Sequence, residues 1–203
     1  MIESNGQRRP LLDRYTRTIL FVKPELVIVF DRLAAREAST FQYWLHAANE
    51  FKVDGQRSIE ARAGDVACAI DFLAPEGLKF TQTDQYDPNP EPQITAREWH
   101  LTAATPAPLS SVEFVTLYRP HRSRQAVPRQ AQLKPVRGGY VLTAELLDGR
   151  VLALLPSDDS ATLAAENVTA QGQVLVQRYR AEGTLAGTLR VSQQDAPAAG
   201  KGG

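Results

Sequence analysis

An all-β fold, an antiparallel sandwich, follows from three features of this 203-residue chain. Short apolar and β-branched runs recur at the ~8–12-residue spacing of sandwich strands. Asp-Gly and Glu-Gly pairs separate several of these runs, as hairpin turns require. No stretch holds the 3.6-residue apolar period long enough to make an amphipathic helix of about three turns.

The elements follow in chain order. Residues 15–23 form an apolar, β-branched run stopped by Pro24. Residues 26–33 are apolar on both faces, with Leu26, Ile28 and Phe30 opposite Val27, Val29 and Asp31, as in a strand buried between two layers. Residues 40–49 alternate, setting Phe41, Tyr43 and Leu45 against Gln42, Trp44 and His46. Asp54-Gly55 and Asp148-Gly149 predict type I′ turns with the pair at the centre, and Gly138-Gly139 and Glu182-Gly183 predict further turns. Loops are expected at residues 84–92, 105–109 and 120–128, where prolines cluster. The reading is one domain over residues 10–192, with a smaller C-terminal sheet beginning near Arg129 left open, and a disordered Ala/Pro/Gly/Lys tail over 193–203.

Composition excludes classes rather than naming one. Lys+Arg and Asp+Glu both count 23, giving zero net charge, which argues against a general nucleic-acid or anionic-membrane binder. The single cysteine, Cys68, rules out an internal disulfide or thiolate zinc cluster, and its apolar neighbours predict a buried, inert thiol. Apolar runs such as 18–22 and 26–30 fall far short of the ~20 residues of a membrane helix. The opening residues carry no apolar core of a signal peptide.

Nucleotide-binding glycine loops, His-Glu-x-x-His and Gly-x-Ser-x-Gly are absent. His46, His100 and His121 are too scattered for their spacing to suggest a metal site. His46 is expected to be half-buried on a strand beside Trp44, and His100, alternating with Trp99, to be exposed. Arg119, Arg122, Arg124 and Arg129 form a basic stretch without an acid, suited to carboxylate or sulfate groups of an acidic polysaccharide, with Trp44 and Trp99 as rings for sugar stacking. Tyr118 and His121, close in the chain, are the one pair to consider for acid/base catalysis. Asp84, Asp87 and Glu91 lack the dense spacing of a calcium loop.

The run Arg17-Thr-Ile-Leu-Phe-Val-Lys-Pro-Glu-Leu-Val-Ile-Val-Phe-Asp-Arg-Leu33, then Phe41-Gln-Tyr-Trp-Leu-His46, resembles the C-terminal region of heparinase II/III-like polysaccharide lyases. Ile70-Asp-Phe-Leu-Ala-Pro75 and Val112-Glu-Phe-Val-Thr-Leu-Tyr-Arg-Pro120 look similar too. The resemblance extends loosely over residues 14–192 and is most specific over 17–46. It implies an accessory β-sandwich that packs on a catalytic N-terminal α/α toroid, of the same or another chain. Such enzymes act on uronic-acid glycans by β-elimination and are periplasmic or secreted. Some hold a structural zinc through a His-x-His segment, an aspartate and a later histidine, and His46 matches that histidine. The other ligands and the toroid would precede Arg14 and are not in this sequence. The implied role is therefore a part of a lyase, inactive alone and without a cofactor of its own, zinc belonging to the full-length protein. The alternative is a free-standing anionic-glycan-binding or structural sandwich, with no nucleic-acid or membrane partner.

Overall fold

A computed structural model describes residues 11–85 and 98–192, and the backbone alone of 2–4 and 7–9. The described elements are all strands: β1 (Ile2–Ser4), β2 (Gln7–Arg9), β3 (Leu12–Val22), β4 (Leu26–Ser39), β5 (Gln42–Ala47), β6 (Lys52–Asp54), β7 (Ser58–Ala63), β8 (Val66–Ala74), β9 (Lys79–Thr83), β10 (Trp99–Ala104), β11 (Leu109–Arg122), β12 (Ala131–Val136), β13 (Gly139–Leu146), β14 (Gly149–Pro156), β15 (Thr162–Ala165), β16 (Val168–Gln171), β17 (Gln173–Arg180) and β18 (Leu185–Ser192). All described pairings are antiparallel. The fold is all-β, as the periodicity predicts.

Three sheets are stacked. The central one has six strands in the order β3-β4-β11-β8-β7-β6. One of its faces packs on a five-stranded sheet, β12-β13-β14-β17-β18, and the other on a three-stranded sheet, β5-β10-β9. The strand period of two sorts the side chains between these neighbours. On β4, Leu26, Ile28 and Phe30 enter the core shared with the five-stranded sheet, while Leu33 and Ala35 enter the other. On β11, Val115 and Leu117 take the first core, and Val112, Phe114 and Tyr118 the second. Being apolar on both faces is therefore the mark of a middle layer. The hairpin β15–β16 caps the outer face of the five-stranded sheet, placing Leu163 and Ala170 on Leu154 and Leu175. Burial of each such leucine contributes about 1.5–3 kcal/mol.

The boundary between the six- and five-stranded sheets falls after Arg122 and before Ala131, around Arg129. Sequence reasoning missed β15 and β16, whose four-residue runs carry too few apolar residues to show a period. Three expectations about local chemistry need correction. Asp54 is a paired strand residue opposite Ser58, so the turn there spans Gly55 to Arg57 and is not a two-residue type I′ turn centred on Asp54-Gly55. Pro120 lies inside β11 rather than opening a loop. It is tolerated there because pairing with β4 stops at Tyr118, leaving Pro120 bonded to β8 alone. Nor does Asp148-Gly149 occupy the centre of a type I′ turn. Leu146 pairs with Gly149, so the turn residues are Leu147 and Asp148, and Gly149 starts β14 at φ 155°. A Cβ there would strike the carbonyl of Tyr179 on β17, so the glycine serves a close strand crossing rather than a turn. The 193–203 tail lies outside the described residues.

Candidate functional site

The outer face of the three-stranded sheet is the candidate. Alternation turns Tyr43, Leu45 and Leu101 inward and leaves Gln42, Trp44 and His46 outward on β5. The register then aligns two cross-strand rows on that outer face: Trp44–Thr102–Thr81 and His46–His100–Thr83. Trp44 is 52% exposed and donates its indole N–H to Gln42 Oε1 at 3.1 Å. Its ring lies nearly parallel to that of His46, with centroids 6.5 Å apart, and His100 is 6.1 Å from it. A groove of about 480 Å³ runs beside them, lined by Trp44, Thr81, Gln82, Thr83, Gln85, His100 and Thr102. An aromatic plate edged by hydroxyls and amides can stack on an apolar ring face while bonding to hydroxyls around that ring.

His46 is outward and half-exposed, with Nδ1 3.7 Å from Glu98 Oε2. His100 is not exposed as expected: it is 6% accessible, and its Nε2 lies 2.9 Å from the Gln85 carbonyl oxygen. Trp99 packs against the inner core, so it offers no open plate. Among the described residues, no three His, Cys, Asp or Glu side chains stand together in a way that could hold a metal ion. His46 alone does not make a zinc centre.

The inner face under β5 holds a second polar cluster. Arg17 on β3 forms a two-pronged ion pair with Asp31 on β4, with Nε–Oδ1 and Nη2–Oδ2 both 2.7 Å. Asp31 is 1% exposed, and its charge and hydrogen bonds raise the pKa of the Arg17 guanidinium. That guanidinium also lies 5.1 Å from the Tyr43 ring centre and 5.9 Å from that of Tyr15. The Tyr43 and Tyr118 hydroxyls are 2.6 Å apart. Burial raises both phenol pKa values, and for Tyr118 the neighbouring Tyr43 adds to the effect.

Tyr118 and His121 are not brought together. Three residues apart on a regular stretch of β11, they point to opposite sides of the sheet. Tyr118 bonds Tyr43, whereas His121 Nδ1 is 2.8 Å from the Arg119 carbonyl oxygen. The four arginines are dispersed as well, because Arg119 and Arg122 belong to the strand. Arg119 is 1% exposed and donates from Nη1 to the Glu145 carbonyl at 2.8 Å, tying β11 to β13. Arg129 pairs with Asp71 at 2.7 Å, and exposed Arg122 with Asp65 at 2.6 Å. Arg124 is exposed. Arg122 and His121 border a cleft of about 610 Å³ whose other walls include Ala47 and Ala48, directly after His46. Cys68 also lines this cleft, and burial pushes its thiol up to about 11, which keeps it protonated near neutral pH. Asp87 and Glu91 lie outside the described residues.

Sequence reasoning missed the groove's hydroxyl and amide wall. The alternation Lys79-Phe80-Thr81-Gln82-Thr83 carries the signal of a strand with one polar face, but only the register shows that this face adjoins Trp44. No family model matches the chain, and neither does any curated protein.

Proposed function

We propose that the chain is the C-terminal accessory β-sandwich of a polysaccharide lyase that cleaves uronic-acid glycans by β-elimination. In this reading a catalytic α/α toroid, of the same or another chain, supplies the acid and base, and the protein works in the periplasm or outside the cell. The observation that carries the reading is the open groove beside Trp44, His46 and His100. The histidine singled out by the resemblance stands there, outward, beside the most exposed aromatic ring of that sheet. A glycan lying along β5 would stack on Trp44, bond to Thr81, Thr83 and Thr102, and pass Ala47 and Ala48 toward Arg122 and Arg124, where its carboxylates find cations. His46 would give one ligand to a zinc site that other residues complete.

Elimination needs a base within ~3 Å of the C5 proton and a group that neutralises the developing enediolate. Tyr118 is poorly suited to be that base: its hydroxyl is bound to Tyr43 and burial disfavours its phenolate. The division of labour follows, with this chain binding and the toroid reacting. The test is incubation of the purified chain with heparin, heparan sulfate and alginate, read by ultraviolet absorbance of the 4,5-unsaturated uronate and by tryptophan fluorescence. Binding without product is expected; product from this chain alone would overturn the assignment. A second reading, a free-standing anionic-glycan binder, is favoured by the groove being lined by the three strands of one sheet and Gln85 just beyond β9. It requires that adding a toroid domain leave affinity unchanged.

A further inference from the structure

Among the described residues β3 is an edge strand of the six-stranded sheet, with β4 as its one sheet partner. At 11 residues it is long for an edge, and its outer side offers a ladder of backbone donors and acceptors to another strand. Edges of this kind are commonly shortened, kinked or charged, which discourages pairing. This one has an irregularity between Leu12 and Arg14, but from Arg14 onward it pairs with β4 in regular register and shows Tyr15, Ile19 and Phe21 on one face, 51%, 63% and 52% exposed. The charge between them, Arg17, is already matched by Asp31.

The strand is also complementary to itself. Its regular part runs from Arg14, past the irregularity at Asp13, to Val22. An antiparallel copy related by a two-fold axis at Thr18 brings Tyr15 opposite the other copy's Phe21, twice, and Arg17 opposite Ile19. An axis at Arg17 would oppose two guanidinium groups, and an axis at Ile19 would set Tyr15 against Lys23, beyond the end of the other copy's β3. Aromatic pairing and the avoidance of opposed guanidinium groups thus select the same register.

We infer that two copies of this chain associate through their β3 strands, antiparallel about Thr18, joining the two six-stranded sheets into one continuous sheet. The surface is distinct from the Trp44 groove, so this inference stands or falls apart from the glycan reading. Sedimentation equilibrium of the full chain over a concentration series should show a monomer–dimer equilibrium. Ile19→Lys, at an exposed position, should raise the dissociation constant at least tenfold with the circular dichroism unchanged. In a Cys68→Ser background, Tyr15→Cys and Phe21→Cys proteins should each stay uncrosslinked under mild oxidation, yet form a disulfide-linked dimer when mixed. A monomer at all concentrations, a dimer indifferent to Ile19→Lys, or crosslinking of either cysteine variant alone in place of the mixture would overturn the proposal.

Discussion

The two faces of the six-stranded sheet are built differently. Toward the five-stranded sheet the core is mainly aliphatic, with Leu20, Leu26, Ile28, Leu117, Leu142 and Leu155, and Phe30 at its side. Toward the three-stranded sheet it is aromatic, with Phe41, Tyr43, Phe72 and Phe114, and it includes the Tyr43–Tyr118 hydroxyl pair beside Arg17 and Asp31. The five-stranded sheet has its outer face partly capped by the β15–β16 hairpin. The three-stranded sheet instead presents Trp44 and a row of polar groups outward. The contrast separates a region whose outer face is partly capped from a region that leaves an aromatic ring and polar groups exposed.

Substitutions can break that contrast. The largest effect is expected at Gly149, where alanine would collide with the Tyr179 backbone; a loss of about 3 kcal/mol or more should appear in urea unfolding. Next comes Leu117→Ala in the aliphatic core, expected to cost about 2–5 kcal/mol by the same measurement. Tyr43→Phe should cost about 1–3 kcal/mol, because it takes from the half-buried Tyr118 hydroxyl its partner at 2.6 Å. Smallest is Trp44→Ala, within about 0.5 kcal/mol in stability, since the ring is exposed.

Alkaline pH probes both cores at once. Burial raises Cys68 to about 11 and Tyr140 to about 12, against ordinary values of 9.0 and 10.0. These groups ionise more readily in the unfolded chain, so above pH ~9 the unfolded state binds fewer protons than the folded one. The contribution of these two groups to stability should therefore be constant between neutral pH and that point and fall as pH rises toward ~12. Constant stability across that window would contradict the described burial.

The layers were legible where a run was apolar on both faces, as at residues 26–33, or alternated cleanly, as at 40–49. The alternation places Trp44 and His46 on one strand face. What stayed hidden was set by register between distant strands. Arg119 lies next to Pro120 in what looked like a loop, yet the pairing of β11 with β8 carries it between the sheets. Tyr118 and His121 are three positions apart, an odd number, and a strand therefore separates what proximity in sequence suggested joining. The threonines of the groove reach Trp44 only through the order β5-β10-β9, which no local pattern encodes.

The central claim, that the outer face of the three-stranded sheet binds glycan, is tested most directly by calorimetric titration of uronate oligosaccharides. Wild type, Trp44→Ala and the Arg122→Ala/Arg124→Ala double variant would be compared at low and physiological salt. Weak binding is expected for wild type, abolished by Trp44→Ala, reduced several-fold by the double variant, and weakened by salt as screening acts on the arginine contacts. Equal affinity in all three proteins, or none in wild type, would contradict the account.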